Sequence, residues 1–211
     1  WEVANYGDDN ARTFLATMIS GALLDSEQWD EPLLRALYAN LLTTGKLGFR
    51  GDRVDMPTLD SLNRGAIQER EIVNLSPFFE SYLWACYLWA FHHTQDDRFY
   101  NTAIKGIETT MRAYPDGWRW GDNLDRTHML LALAWLVRVD DKPLHREWLR
   151  QVADDLIIYQ DACGAIPERL GNPNSGHYQA PTSNEAYGTM ETPLIQENGD
   201  PVSDQLYVSG F

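Results

Sequence analysis

The stretch Phe78-Phe79-Glu80-Ser81-Tyr82-Leu83-Trp84-Ala85-Cys86-Tyr87-Leu88-Trp89-Ala90-Phe91 limits the possible folds more than any other part of the chain. It follows Ser76-Pro77, a pair suited to the N-cap and first position of a helix. Its apolar residues fall on nearly every side of that helix, and a helix without a polar face has to be surrounded by other elements. A second stretch of this kind, Met129-Leu130-Leu131-Ala132-Leu133-Ala134-Trp135-Leu136-Val137, lies in a helix expected from Asp122 to about Val139. A third, small and apolar, runs from Asp8 to about Leu24 through Phe14, Leu15, Met18, Ile19, Ala22 and Leu23.

One-sided helices alternate with these three. Leu33, Leu34, Leu37, Tyr38, Leu41 and Leu42 recur at helical spacing after Trp29-Asp30-Glu31-Pro32, with Gly45 expected as C-cap. Phe99, Tyr100, Ala103, Ile104, Ile107 and Met111 form the next stripe, ended by Tyr114-Pro115-Asp116-Gly117. Leu144, Trp148, Leu149, Val152, Leu156 and Tyr159 form the last, and Ser203-Asp204-Gln205-Leu206-Tyr207 opens a further helix. The order is inner, outer, three times over. Connections from inner to outer are short, whereas residues 46–74 and 161–200 make long returns from outer to inner. A ring of helical hairpins accounts for that asymmetry better than an up-and-down bundle. It gathers the N-termini of the inner helices on one rim, with Asp8, Asp9, Glu80, Asp122, Asp125 and Asp204.

The rim also carries an echo. Tyr6-Gly7-Asp8-Asp9-Asn10-Ala11-Arg12-Thr13 returns as Trp120-Gly121-Asp122-Asn123-Leu124-Asp125-Arg126-Thr127, with the aromatic, Gly, first Asp, Arg and Thr in matching places. Repeated architectures leave such echoes. Aspartates at helix starts also serve as caps, so each has a structural use beside a chemical one.

The formal charge is −14, from 17 basic and 31 acidic residues, with no basic run, which argues against nucleic acid and anionic membranes as partners. Cys86 and Cys163 are too few for a disulfide framework or a zinc site, and Cys86 reads as core. No metal or cofactor motif is present, so no cofactor is expected. His92-His93 reads as the cationic end of a helix. The whole chain, residues 1–211, reads as one all-α domain, and its ends, Trp1 and Phe211, read as cuts in a longer polypeptide.

The 6–13 stretch, Phe79-Glu80-Ser81-Tyr82-Leu83-Trp84, Leu133-Ala134-Trp135-Leu136-Val137-Arg138-Val139 and Ser183-Asn184-Glu185-Ala186-Tyr187-Gly188 resemble the six-hairpin glycosidases, the (α/α)6-toroid carbohydrate enzymes, and bacterial members in particular. The resemblance implies a glycoside hydrolase with a funnel at the inner-helix N-termini, an oligosaccharide substrate, and a bacterial cytoplasmic or periplasmic setting. Three hairpins and the start of a fourth are fewer than the family's six. The rest of the ring is therefore expected from the same or another chain.

Glycoside hydrolysis takes a protonated carboxyl to assist the leaving group and an ionised one to activate water or attack carbon. Asp9, Glu80, Asp125 and Glu191 are the candidates. Asp8 could cap while Asp9 points elsewhere. Glu80 lies one turn into an apolar helix, where a carboxylate is costly unless it is paired or functional. Asp125 competes with an ion pair to an arginine such as Arg12. Glu191, with Glu185 and Glu197, sits in the long 161–200 segment, where structural anchoring is the plainer role. Tyr6, Asp8, Trp118, Trp120, His177, Tyr178 and Glu185 are the expected substrate contacts, the aromatics serving as sugar platforms. Two alternatives stand beside hydrolysis. One is a lyase or epimerase on the same scaffold, using His177-Tyr178 with Arg169. The other is a non-catalytic glycan-binding domain whose rim acids are all paired or capping.

Overall fold

A computed structural model of the chain describes residues 7–51, 64–119 and 125–160, together with 162, 164 and 166. All regular structure among them is helical: α1 (Gly7–Leu24), α2 (Asp30–Leu42), α3 (Arg64–Gln68), α4 (Pro77–Thr94), α5 (Asp97–Arg112), α6 (Asp125–Val139) and α7 (Pro143–Ile157). No helix is long and apolar enough to cross a membrane among the described residues.

As its composition requires, α4 is the centre. Its residues Leu83, Trp84, Ala85, Cys86, Tyr87 and Leu88 are all buried. It lies between α1 and α6 and is backed by α5, while α7 packs on α6. Burying one large apolar side chain is worth about 1.5–3 kcal/mol, so this one helix supplies a large share of the core. Side-chain contacts set the directions. The Cys86 thiol reaches the Ala11 carbonyl oxygen at 3.8 Å. Arg12 lies 5.5 Å from the Phe78 ring, and the His128 ring lies 4.8 Å from that same ring. At the far end His92 meets Trp135 at 6.1 Å. Gly7 stands against the Phe79 carbonyl as Ala11 stands against Cys86, so α1, α4 and α6 run parallel, with their N-termini together.

The layers are fastened by specific polar contacts. The hydroxyl of Tyr38, on α2, donates to Asp96, which N-caps α5 by accepting from the Arg98 amide. Tyr100, on α5, donates likewise to Asp140 in the turn between α6 and α7. Trp84 donates its indole N–H to the Gly48 carbonyl at 2.8 Å and lies flush against Gly106. Gly48 has φ +88°, and a Cβ there would sit 2.4 Å from the Thr102 carbonyl oxygen, so only glycine fits.

Several expectations need correction. The inner helices are not equally covered: α1 buries only Gly7, Asp8, Ala11 and Phe14, and leaves Ile19, Leu23 and Leu24 exposed. On α7, Leu144 is exposed and its neighbour His145 is buried, because the His145 ring nitrogen Nδ1 bonds the Asp140 carbonyl at 2.7 Å. The C-cap of α2 is Thr43 rather than Gly45. Gly45 instead allows a close crossing, since a Cβ there would lie 2.5 Å from the Arg70 carbonyl oxygen. The expected long return at 46–74 contains the short helix α3. Ser76 occupies the N-cap position of α4 without a side-chain cap bond.

Candidate functional site

The parallel inner helices bring Gly7 and Asp8 of α1, Phe78, Phe79 and Glu80 of α4, and Arg126 and His128 of α6 to one end of the molecule. Outer-helix C-termini join them. Tyr114, just past α5, donates to Asp155 of α7 at 2.6 Å, and the Arg126 guanidinium lies 5.7 Å from the Tyr114 ring. Among the described residues the starts of α1, α4 and α6 therefore lie at one end.

Glu80 is 1 % exposed, and its oxygens are taken up by a loop. Oε2 accepts from the Arg50 amide at 3.0 Å; Oε1 accepts from the Gly51 amide at 2.8 Å and from the Asn74 side chain at 3.1 Å. Burial pushes its proton affinity up, while these three donors and the Arg50 charge pull it down. Sequence reasoning had two uses for a carboxylate in an apolar helix, pairing or chemistry. The geometry places Glu80 with the first: it holds the 43–51 loop and Asn74 onto α4, and its acceptor positions face protein donors.

Asp8 behaves differently. It is 5 % exposed, and its Oδ1 has no hydrogen-bond partner among the described residues. Oδ2 lies 3.8 Å from the Arg12 guanidinium. Its pKa is pushed up to about 6, first by burial and then by the neighbouring Asp9 charge, against the pull of Arg12 and the local amides. Asp9 is exposed, and its main-chain oxygen accepts from the Thr13 hydroxyl at 3.0 Å. Of the pair, the residue expected to cap, Asp8, is the buried one, and Asp9 is the exposed one. Asp8 is in phase with Ala11 and Phe14 on the buried face of α1, whereas Asp9 falls on the outer face.

Rings and guanidinium groups frame the rim. Arg12 stands over both Phe78 and Tyr82, at 5.5 and 5.7 Å, and the buried His128 ring packs on the same two side chains. Arg119 lies 5.8 Å from the Phe79 ring. Arg50 is fully buried and donates from Nε to the Thr43 hydroxyl at 3.1 Å. Arg70 donates to the Thr43 carbonyl at 2.8 Å. Sequence reasoning missed Arg50, His128 and Tyr82. Each is an isolated residue whose partners come from distant parts of the chain, so no local pattern marks them.

Trp118 is not a sugar platform. It is 5 % exposed, donates its indole N–H to the Thr110 carbonyl at 2.7 Å, and sets its ring edgewise against Tyr114. A Trp with its one donor satisfied inside the protein is core. Asp125 begins α6 at the rim, but its side chain lies outside the described residues. Tyr6, Trp120, His177, Tyr178, Glu185 and Glu191 lie outside them as well. Among the described residues no group of three or more His, Cys, Asp or Glu side chains could hold a metal ion.

The chemistry available is that of a buried carboxyl whose pKa of about 6 lets it carry a proton in mildly acidic solution, beside an exposed carboxylate and an aromatic and cationic frame. Comparison of the chain with protein-family models, with curated proteins and with solved structures finds no match.

Proposed function

We propose that the chain is part of a carbohydrate-active enzyme of the (α/α)-toroid class, a glycoside hydrolase whose acid/base chemistry lies at the inner-helix N-terminal rim. The observation that carries this reading is Asp8, a buried carboxyl with a raised pKa and one oxygen without a partner among the described residues, at the point where the inner helices begin together. A general acid for glycosidic bond cleavage has to keep its proton near the working pH, and burial is the usual means. The parallel inner layer with helices packed behind it supports the toroid part of the reading. An oligosaccharide is the substrate, and the remainder of the ring comes from the same or another chain.

A panel of neutral and mildly acidic glycosides, tested with the full chain and with Asp8→Asn, decides the matter. Turnover of one member, reduced about 100-fold or more in the variant, is the expected result. Turnover that Asp8→Asn leaves intact removes Asp8 from the mechanism, and a panel without turnover removes the enzyme.

A second reading, a non-catalytic glycan-binding helical domain, has one specific observation in its favour. Glu80, the best-placed carboxylate of α4, is occupied by loop amides. Calorimetric binding of an oligosaccharide without its cleavage would select it.

A further inference from the structure

The side chain of Arg50 runs from a loop corner gripped by Glu80 of α4 to the first turn of α1, which carries Asp8. Glu80 grips the main chain at Arg50 and Gly51, and Gly51 turns with φ +88°. From this corner the Arg50 side chain runs inward, steadied by its Nε bond to Thr43. It ends against the first turn of α1. A Cβ built on Gly7 would lie 3.5 Å from Arg50 Cδ, 3.5 Å from its Nη1 and 3.5 Å from the Phe79 carbonyl oxygen. The residue after Gly7 is Asp8.

We propose that Glu80 is a positioning residue for Asp8 and acts through Arg50: it fixes the Arg50–Gly51 corner, and the corner seats the guanidinium under the start of α1. The charges that bear most on Asp8 are Asp9 and Arg12 from its own helix; Asp8 in turn bears on Arg50 in the loop, as Glu80 does from α4. Burial disfavours the charged form of Arg50; Tyr87, Glu80 and Asp8 favour it and Arg70 opposes it, so both carboxylates bear on the same guanidinium. The functional weight of this link rests on the reading of Asp8 as the working carboxyl. The link itself does not.

The sign of one titration separates positioning from a plain charge effect. If Glu80 acted on Asp8 only as a nearby negative charge, removing that charge would make Asp8 more acidic. If Glu80 holds Arg50 in place, removing its grip frees the guanidinium and makes Asp8 less acidic. Glu80→Gln is the variant, since Gln presents one acceptor oxygen and an NH2 group where three donors converge.

Asp8 is followed by carboxyl-carbon NMR across pH in the full chain. In Glu80→Gln its midpoint is expected to rise by about half a unit or more, roughly a threefold change in acid constant. A fall, or no movement, overturns the proposal. Arg50→Met leaves the amide bonds to Glu80 in place and removes only the guanidinium; it is expected to raise the Asp8 midpoint by at least as much. An unmoved midpoint in Arg50→Met overturns the proposal by itself, even where Glu80→Gln does not fold. The double variant is expected to match Arg50→Met alone, the non-additivity of two residues acting in series. Because the readout is the Asp8 carboxyl, a glycan panel without turnover leaves the link standing. An unshifted midpoint removes the link and leaves the hydrolase reading as it was.

Discussion

The hydroxyl of Tyr38 lies 3.0 Å from the Asp96 carboxylate, 58 residues away in sequence. The bond ties α2 to the N-cap of α5, and Arg98 holds the same carboxylate from the other side. Tyr38→Phe removes the hydroxyl and keeps the ring on Phe99. The expected loss is about 1 kcal/mol, the usual net value of such a bond, read by urea denaturation at neutral pH. Asp96 is held well below the usual carboxylate range, first by Arg98 and also by Tyr38. Its contribution is present above the unfolded carboxylate pKa and is lost as pH falls through the folded one. The deficit of Tyr38→Phe should therefore shrink in strong acid.

Asp8 has the opposite sign. Its folded pKa of about 6 is above the ordinary aspartate value of 3.8, so the folded chain binds a proton that the unfolded chain has released. Stability from this group is full below the unfolded pKa and is lost as pH rises through about 6. Asp8→Asn removes the cost of the buried charge and is expected to stabilise the chain at pH above 7 by on the order of 2–3 kcal/mol, with little effect in acid. Thermal unfolding of both proteins across pH measures it. Stabilisation above pH 7 together with the reduced turnover expected of the same variant would be the pattern of a strained active-site group.

Gly106→Ala tests the fit of Trp84. A Cβ there would lie 2.6 Å from two indole carbons, and the ring cannot slide away without breaking its bond to Gly48. Alanine gains about 1 kcal/mol in helix propensity, but overpacking a fixed aromatic costs about 1–3 kcal/mol or more. The clash is expected to win, with a net loss of about 2 kcal/mol and a change in near-ultraviolet circular dichroism.

Cys86 is fully buried, and burial pushes its thiol well above the ordinary range. It should resist thiol reagents in the folded chain and react only when α4 separates from α1. Quenched labelling followed by peptide mapping is the measurement. Fast labelling of Cys86 in native buffer would mean that the α1–α4 interface opens readily.

The helical layers were legible because they rest on composition and period. Ser76-Pro77 and Thr94-Gln95-Asp96-Asp97 bracket α4 in the sequence as they do in the structure, and an all-apolar helix has nowhere to go except the middle. The burial of Asp8 and the exposure of Asp9 follow from the same period, since Asp8 lies one turn before Ala11 on the face that Phe14 shares. The bonding of Glu80 was not legible. Its partners are main-chain amides of a loop 30 residues earlier, and no side-chain pattern announces a backbone donor. Trp118 misled for a related reason: a tryptophan beside glycine and aspartate reads as exposed until its N–H is seen to end on Thr110.

The grip of Glu80 on the loop also makes two protons unusual. The amides of Arg50 and Gly51 lie outside the helices of the described residues, yet both point into a buried carboxylate. They can exchange with deuterium only when the loop lifts off the start of α4, so their rates measure how often the rim comes apart. Two loop positions that exchange as slowly as helix interiors, and together, would mark the rim as one cooperative unit.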